Sequence, residues 1–266
     1  MSRFNNLEFG EEFDGELQNK SAQPAGSKPK LIKDEAHYLA EAKCALESGQ
    51  FDHALRAYSK VLEFNPRNPA AWTGQVRMLV EMDDLEAAKL WADKALENFP
   101  NEPELLAAKA VVLARSGDLK AALAYSDAAI DERGDTPYIW LARGDVQLAR
   151  EEKRADFCFE KALALAPGDW VVRWLAARAH YYYEKFAAAL KLVQEALTLN
   201  ASQAVLWLQM GFCQQGLGLV GAARTSFQHA RELSPDSDAP DDALRGLYQL
   251  GFWEKLQCRW RQMFNG

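Results

Sequence analysis

The sequence predicts an all-α protein, a solenoid of stacked helical hairpins, on three observations. Bulky residues recur at Tyr38, Trp72, Leu106, Trp140, Trp174 and Trp207, spaced 34 residues apart and once 33, and such a fixed period marks a repeat architecture. Half a unit later each is followed by a small residue: Ala54, Ala88, Ala122, Ala155, Ala189 and Ala223. A turn-former, Pro66, Pro100, Gly134, Pro167 or Pro235, closes most units. Within a unit apolar residues fall three and four apart on both sides of a short break, the helical spacing. Two short antiparallel helices cannot bury their apolar faces alone, so neighbouring hairpins must stack and share one core.

The elements follow in order. The first unit spans 35–68, and its SGQF turn at 48–51 sets a glycine at the end of the first helix, where a left-handed residue is needed. The second, 69–102, opens on Asn68-Pro69, a capping side chain before a proline. A third, 103–136, turns at SGDL (116–119). The fourth, 137–169, opens on Thr136-Pro137 but lacks a turn glycine in LAREEKRAD (148–156) and is one residue shorter, so its hairpin is expected to be tighter or slightly rotated. The fifth, 170–203, has two readings. The 34-residue spacing makes Trp174 the core residue, whereas Asp169 as cap and Ala177 as small contact put Arg173 in that slot and turn Trp174 to the concave face; two signals favour the second. The sixth, 204–237, turns at GLGLV (216–220).

Small residues explain how these units nest. A second set, Val61, Ala95, Ala129, Ala162, Ala196 and Ala230, follows the first along each second helix. Such side chains let helix axes come close, while Tyr58, Phe159 and Phe227 are expected to fill the space between hairpins. Beyond Pro235, DALRGLYQLGFWEKLQCRWRQMF (242–264) is amphipathic, with Leu244, Leu247, Tyr248, Leu256, Trp260 and Phe264 on one side. A solenoid needs its last apolar face covered, so 238–266 reads as a capping helix or a degenerate seventh hairpin.

Composition excludes several function classes. With 48% hydrophobic and 26% charged residues in 266, the chain has the usage of a soluble protein. Its net charge of −7 argues against nucleic acid and anionic membrane surfaces as partners. No stretch approaches the roughly 20 apolar residues of a membrane span, and one basic residue followed by acids is not a secretory signal. Cys44, Cys158, Cys213 and Cys258 form no C-x-x-C pair and sit near no histidine cluster. No metal site, a reducing compartment and a cytoplasmic location are therefore expected. His37, His53, His180 and His229 make no H-E-x-x-H, and no G-x-S-x-G or phosphate loop occurs, so neither enzymatic activity nor a cofactor is expected.

WLQMGFCQQGLGLVGAARTSFQHARELSPDS (207–237) and HYLAEAKCALESGQFDHALRAYSKVLEFNPRN (37–68) resemble the tetratricopeptide repeat: an aromatic residue, a small one, a turn glycine, then alanine, aromatic, alanine and proline. The resemblance covers six units, 34–237. It implies a right-handed superhelix whose first helices line a concave groove, and a role in holding other proteins or peptides. Carried onto this chain, the groove is basic at Lys43, Arg77 and Arg178 and aromatic at Tyr138, Trp174, Tyr181 and Tyr182. An acidic, aromatic peptide is the implied ligand. The asparagine and lysine set with which family members grip a C-terminal carboxylate is absent, since Ala40, Gly74, Glu104 and Ala108 hold those places. A scaffold or adaptor is the expected function, and a self-assembling structural protein or accessory subunit the alternative.

One segment stands outside the repeats. FNNLEFGEEFDGEL (4–17) sets Phe4, Leu7, Phe9 and Phe13 among acids, and SAQPAGSKPK (21–30) behind it has the composition of a flexible tether within the 1–33 segment. These four side chains are a candidate linear motif, docking in the chain's own groove or a neighbour's, or read by a different protein; a short helix packed on the first repeat and a disordered tail are the alternatives.

Overall fold

The computed structural model describes residues 33–132 and 135–249. Gly134, the candidate motif at Phe4, Leu7, Phe9 and Phe13, Cys258 and the aromatic stretch 250–266 lie outside them. The described residues are helical, with no strand among them. Six hairpins follow one another: α1 (Glu35–Glu47) with α2 (Phe51–Phe64), α3 (Pro69–Glu81) with α4 (Leu85–Asn98), and α5 (Pro103–Arg115) with α6 (Leu119–Asp131). Then come α7 (Pro137–Ala149) with α8 (Ala155–Leu165), α9 (Trp170–Tyr182) with α10 (Phe186–Leu199), α11 (Ala204–Gly216) with α12 (Val220–Leu233), and a last helix, α13 (Ala239–Gln249).

Local chemistry starts these helices where the sequence places them. Asp34, Asn68, Asp84, Asp118, Thr136 and Asp169 each accept a hydrogen bond from a first-turn backbone N–H, satisfying a donor the helix itself leaves free. Ala54, Ala88, Ala122, Ala189 and Ala223 have no exposed surface, Ala155 has 3%, and the whole second set from Val61 to Ala230 has none. The hairpins therefore nest through their small residues, and a larger side chain at any of them would force the axes apart. The aromatic knobs divide between two tasks. A Cβ on Gly74 would lie 2.5 Å from the Tyr58 ring of the preceding hairpin, whereas Gly144 and Gly211 make room for Phe159 and Phe227 of their own.

All six hairpin turns pass through the left-handed region at the same place. Gly49, Gly117 and Gly218 hold it in three, with φ of 71°, 89° and 80°, and Asp83, Glu151 and Glu184 in the others, at 60°, 55° and 56°. The fourth turn is therefore not tighter for want of glycine. Its missing residue comes out of the start of α8, which runs 11 residues against 14 in α2. In the fifth hairpin, α9 starts at Trp170 behind its Asp169 cap, which puts Arg173 in the slot that tryptophan fills elsewhere. The indoles of Trp72 and Trp207 donate to the carbonyls of Pro66 and Ala201 in the loops before them, whereas Arg173 donates to the carbonyl of its own helix's cap, Asp169, at 3.3 Å. Trp174 consequently faces inward.

That inward turn closes the array. Phe51, at the start of α2, stacks on Trp174 of the fifth hairpin, and a Cβ on Gly49 would meet Val205 of the sixth at 2.8 Å. The first turn thus packs against hairpins five and six. At the other end, Ala243, Leu244 and Leu247 of α13 pack with Ala223 and Phe227, covering the apolar face of the sixth hairpin.

Candidate protein-binding cleft

Charged side chains from four helices meet where the first helices converge. Arg115, at the end of α5, donates through Nη2 (2.6 Å) and Nε (3.3 Å) to Oδ2 of Asp145 on α7, and the Tyr183 hydroxyl donates to Oδ1 at 2.8 Å. Arg115 and Asp145 are 6% and 4% exposed, so both carboxylate oxygens are satisfied away from water. Burial alone would lower the pKa of Arg115, but Asp145 and Glu81 outweigh it and hold the guanidinium above its ordinary value. Arg178 of α9 pairs with the Glu81 carboxylate of α3, and its Nη2 reaches the Glu81 carbonyl at 3.4 Å. Burial pushes the Glu81 carboxyl up, yet Arg178, Arg115 and Arg77 together hold it below the usual carboxylate range.

Aromatic faces frame these charges. The Arg178 guanidinium lies 4.5 Å over the Phe51 ring and 5.5 Å from that of Trp174, Arg115 lies 4.2 Å over Tyr182, and Arg77 lies 3.9 Å over Tyr138. Desolvation raises the Tyr138 phenol well above its ordinary pKa, against the pull of Arg77.

Three cavities run along this inner wall. A cleft of about 410 Å³ opens between the turns of hairpins two and five and the sixth hairpin, edged by Asp83, Glu184, Tyr181, Tyr182 and Phe212. Arg178 connects it to a 210 Å³ hollow beneath Phe51 and Val205. Arg115 connects it to a 40 Å³ chamber bounded by Arg77, Tyr138 and Asp145.

The residues expected from sequence are distributed unevenly across this surface. Tyr181 and Tyr182 edge the main cleft, Arg178 lies at its floor, and Arg77 and Tyr138 lie deeper in the small chamber. Trp174 is fully buried under Phe51, so its ring offers a partner no surface in the closed array. Lys43 lies apart from these cavities, 77% exposed and paired along its own helix with Glu47. Of the basic residues foreseen from sequence, Arg178 is answered by Glu81 and Lys43 by Glu47, while Arg77 lies over the Tyr138 ring; the further arginine here, Arg115, is answered by Asp145. Sequence reasoning missed Glu81, Arg115, Phe51 and Tyr183 as groove residues. Glu81 and Arg178 are 97 positions apart, and no local pattern signals such a pairing. Among the described residues no group of three His, Cys, Asp or Glu is placed to hold a metal ion, and no helix is long and apolar enough to cross a membrane.

A sequence profile for the tetratricopeptide repeat matches residues 45–112, from the end of α1 into α5. Residues 45–112 therefore carry the tetratricopeptide-repeat pattern. Solved structures of proteins with this repeat resemble this one in fold. A tetratricopeptide repeat protein from Parabacteroides merdae ATCC 43184 is 16% identical, with a TM-score of 0.52 over 84% of this chain and 87% of that one. The thermophilic repeat protein TTC0263 of Thermus thermophilus is 14% identical, with a TM-score of 0.49 over 81% of this chain and 100% of its own. A chain of the Cut9–Hcn1 hetero-tetramer of the APC/C is 17% identical with a TM-score of 0.49; the match covers 83% of this repeat protein but 44% of that chain. No curated protein matches the sequence.

Proposed function

We propose that this repeat protein is a non-catalytic scaffold that holds a segment of a partner protein in the cleft between its second, fifth and sixth hairpins. One observation carries the reading: the 410 Å³ cleft keeps Tyr181, Tyr182, Phe186 and Phe212 along an open wall, with Tyr182 37% exposed. Aromatic faces left uncovered in a concave surface are what an incoming side chain buries with most gain. The small chamber and the hollow on either side extend the wall, and an extended segment would lie along it. An acidic ligand needed free arginines, and with Arg115 and Arg178 already paired the aromatic half of that expectation is the part retained. The free thiols Cys44, Cys158 and Cys213 favour a reducing compartment, and we assign the scaffold to the cytoplasm.

Selection of phage-displayed random dodecapeptides on the immobilised full-length chain tests this. Selected peptides should lose affinity at least tenfold when Tyr181 and Tyr182 are both changed to Ala, with helicity retained by circular dichroism. A selection that yields no binders, or binders indifferent to the double change, would contradict the proposal.

A further inference from the structure

We infer that the main cleft takes a cationic side chain, lysine or arginine, from the partner segment. This rests on the reading of the cleft as a protein-binding site and specifies its ligand. Of the charged groups lining the cleft, Arg115 and Arg178 are committed to Asp145 and Glu81. Asp83 and Glu184, the turn residues of hairpins two and five, line the same cleft and make no ion pair among the described residues. Each stands where three other turns place glycine, so the two hairpins facing the cleft accept a strained backbone conformation and carry a carboxylate there. Glu151, the third such acid, lines a separate cavity with His180 and Asp156.

Gln209 supplies an independent observation. It is 4% exposed and lines the cleft; its amide N–H reaches only the Cys213 thiol, at 3.8 Å, and its carbonyl oxygen accepts no hydrogen bond from the described residues. An amide oxygen at the cleft wall that no protein donor holds is an acceptor for whatever enters. The uncommitted acceptors of the cleft are thus two carboxylates and one amide oxygen, beside the rings of Tyr181 and Tyr182, of which Tyr182 already carries Arg115. Carboxylates and amide oxygens accept hydrogen bonds, and the negative faces of the rings attract cations. An ammonium or guanidinium group donates to such acceptors, whereas a carboxylate would face Asp83 and Glu184 with both arginines of the cleft already paired.

The test uses the full-length chain and sublibraries of acetylated, amidated nonapeptides, each with one fixed central residue and the other positions randomised. Lysine- and arginine-centred sublibraries should be retained about tenfold more than the glutamate-centred one. The Asp83→Asn/Glu184→Gln double variant should erase that preference, so that lysine- and arginine-centred sublibraries are retained no better than the glutamate-centred one. Asparagine suits a left-handed turn, so an unchanged melting temperature shows that the fold is intact. Retention without preference for a cationic centre, or a preference that survives the double variant, would overturn this inference and leave the scaffold reading standing. If no sublibrary is retained, both fall.

Discussion

The ring of Phe51, in the first hairpin, lies nearly parallel to that of Trp174, in the fifth, with centroids 6.0 Å apart and planes 11° from parallel. Nothing in a stack of hairpins that each touch only their neighbours requires such a contact. It follows from the register of α9, which turns Trp174 to the inside, and from the position of Phe51 directly after a left-handed turn. Phe51→Ala should therefore loosen the closure more than it unfolds the hairpins. We expect a stability loss of about 2–3 kcal/mol, a larger radius of gyration in small-angle scattering and unchanged helicity. A variant as compact as the parent would show that the ring contact does not hold the array shut.

Arg178 and Glu81 make the second closing contact. Arg178→Ala strands a largely buried carboxylate and should cost about 1–3 kcal/mol in urea unfolding. Changing both residues to Met should cost less than the single change, because no unpaired charge remains. A double variant as damaged as the sum of its singles would mean that the two side chains do not interact.

Three acids occupy a backbone conformation that favours glycine, and Glu151 lies outside the main cleft. Glu151→Gly should stabilise the protein by about 1 kcal/mol, read as a rise in the urea midpoint, without altering peptide retention. Gly117→Ala, at the equivalent turn with φ of 89°, should destabilise it by a similar amount. Opposite signs at equivalent positions distinguish this backbone effect from a generic response to substitution.

Much of this fold was legible in the sequence because hairpin stacking is local. Alanines and valine at fixed intervals must be buried if neighbouring helices are to approach, and from Ala54 to Ala230 they are. The caps at Asn68, Thr136 and Asp169 were legible for the same reason. The cleft was less so: Arg178 and Tyr181 could be placed on the inner wall, but the partners that commit Arg178, Arg115 and Trp174 depend on how far the array curls. That curvature accumulates from small rotations between hairpins, none of which has a sequence signature. Asp83 and Glu184 carry no such signature either, because glycine is the usual mark of a left-handed turn and an acid in its place reads as ordinary surface.

His180 is buried beside Phe159, with ring centroids 4.6 Å apart. Burial holds its imidazole below the ordinary value, against Asp156 and Asp145, which raise it, and with Lys185, which lowers it further. The unfolded chain takes up this proton near pH 6.5 and the folded chain only at lower pH. Stability should therefore fall as pH drops below about 6.5, and His180→Gln should flatten that dependence in urea unfolding between about pH 6.5 and 5.5. An equal slope in the variant would place the titration elsewhere.

Closure of the array brings the first hairpin against the sixth, and a disulfide measures that directly. A Cβ at position 49 would lie 3.8 Å from the Cβ of Val205, the mean separation across a disulfide of about 3.8 Å. Gly49→Cys/Val205→Cys, with Cys44 and Cys258 replaced by serine, should form an intramolecular bridge under mild oxidation at low protein concentration, seen as one cross-linked peptide pair by mass spectrometry. Two thiols that stay reduced, or that join only between molecules, would contradict it.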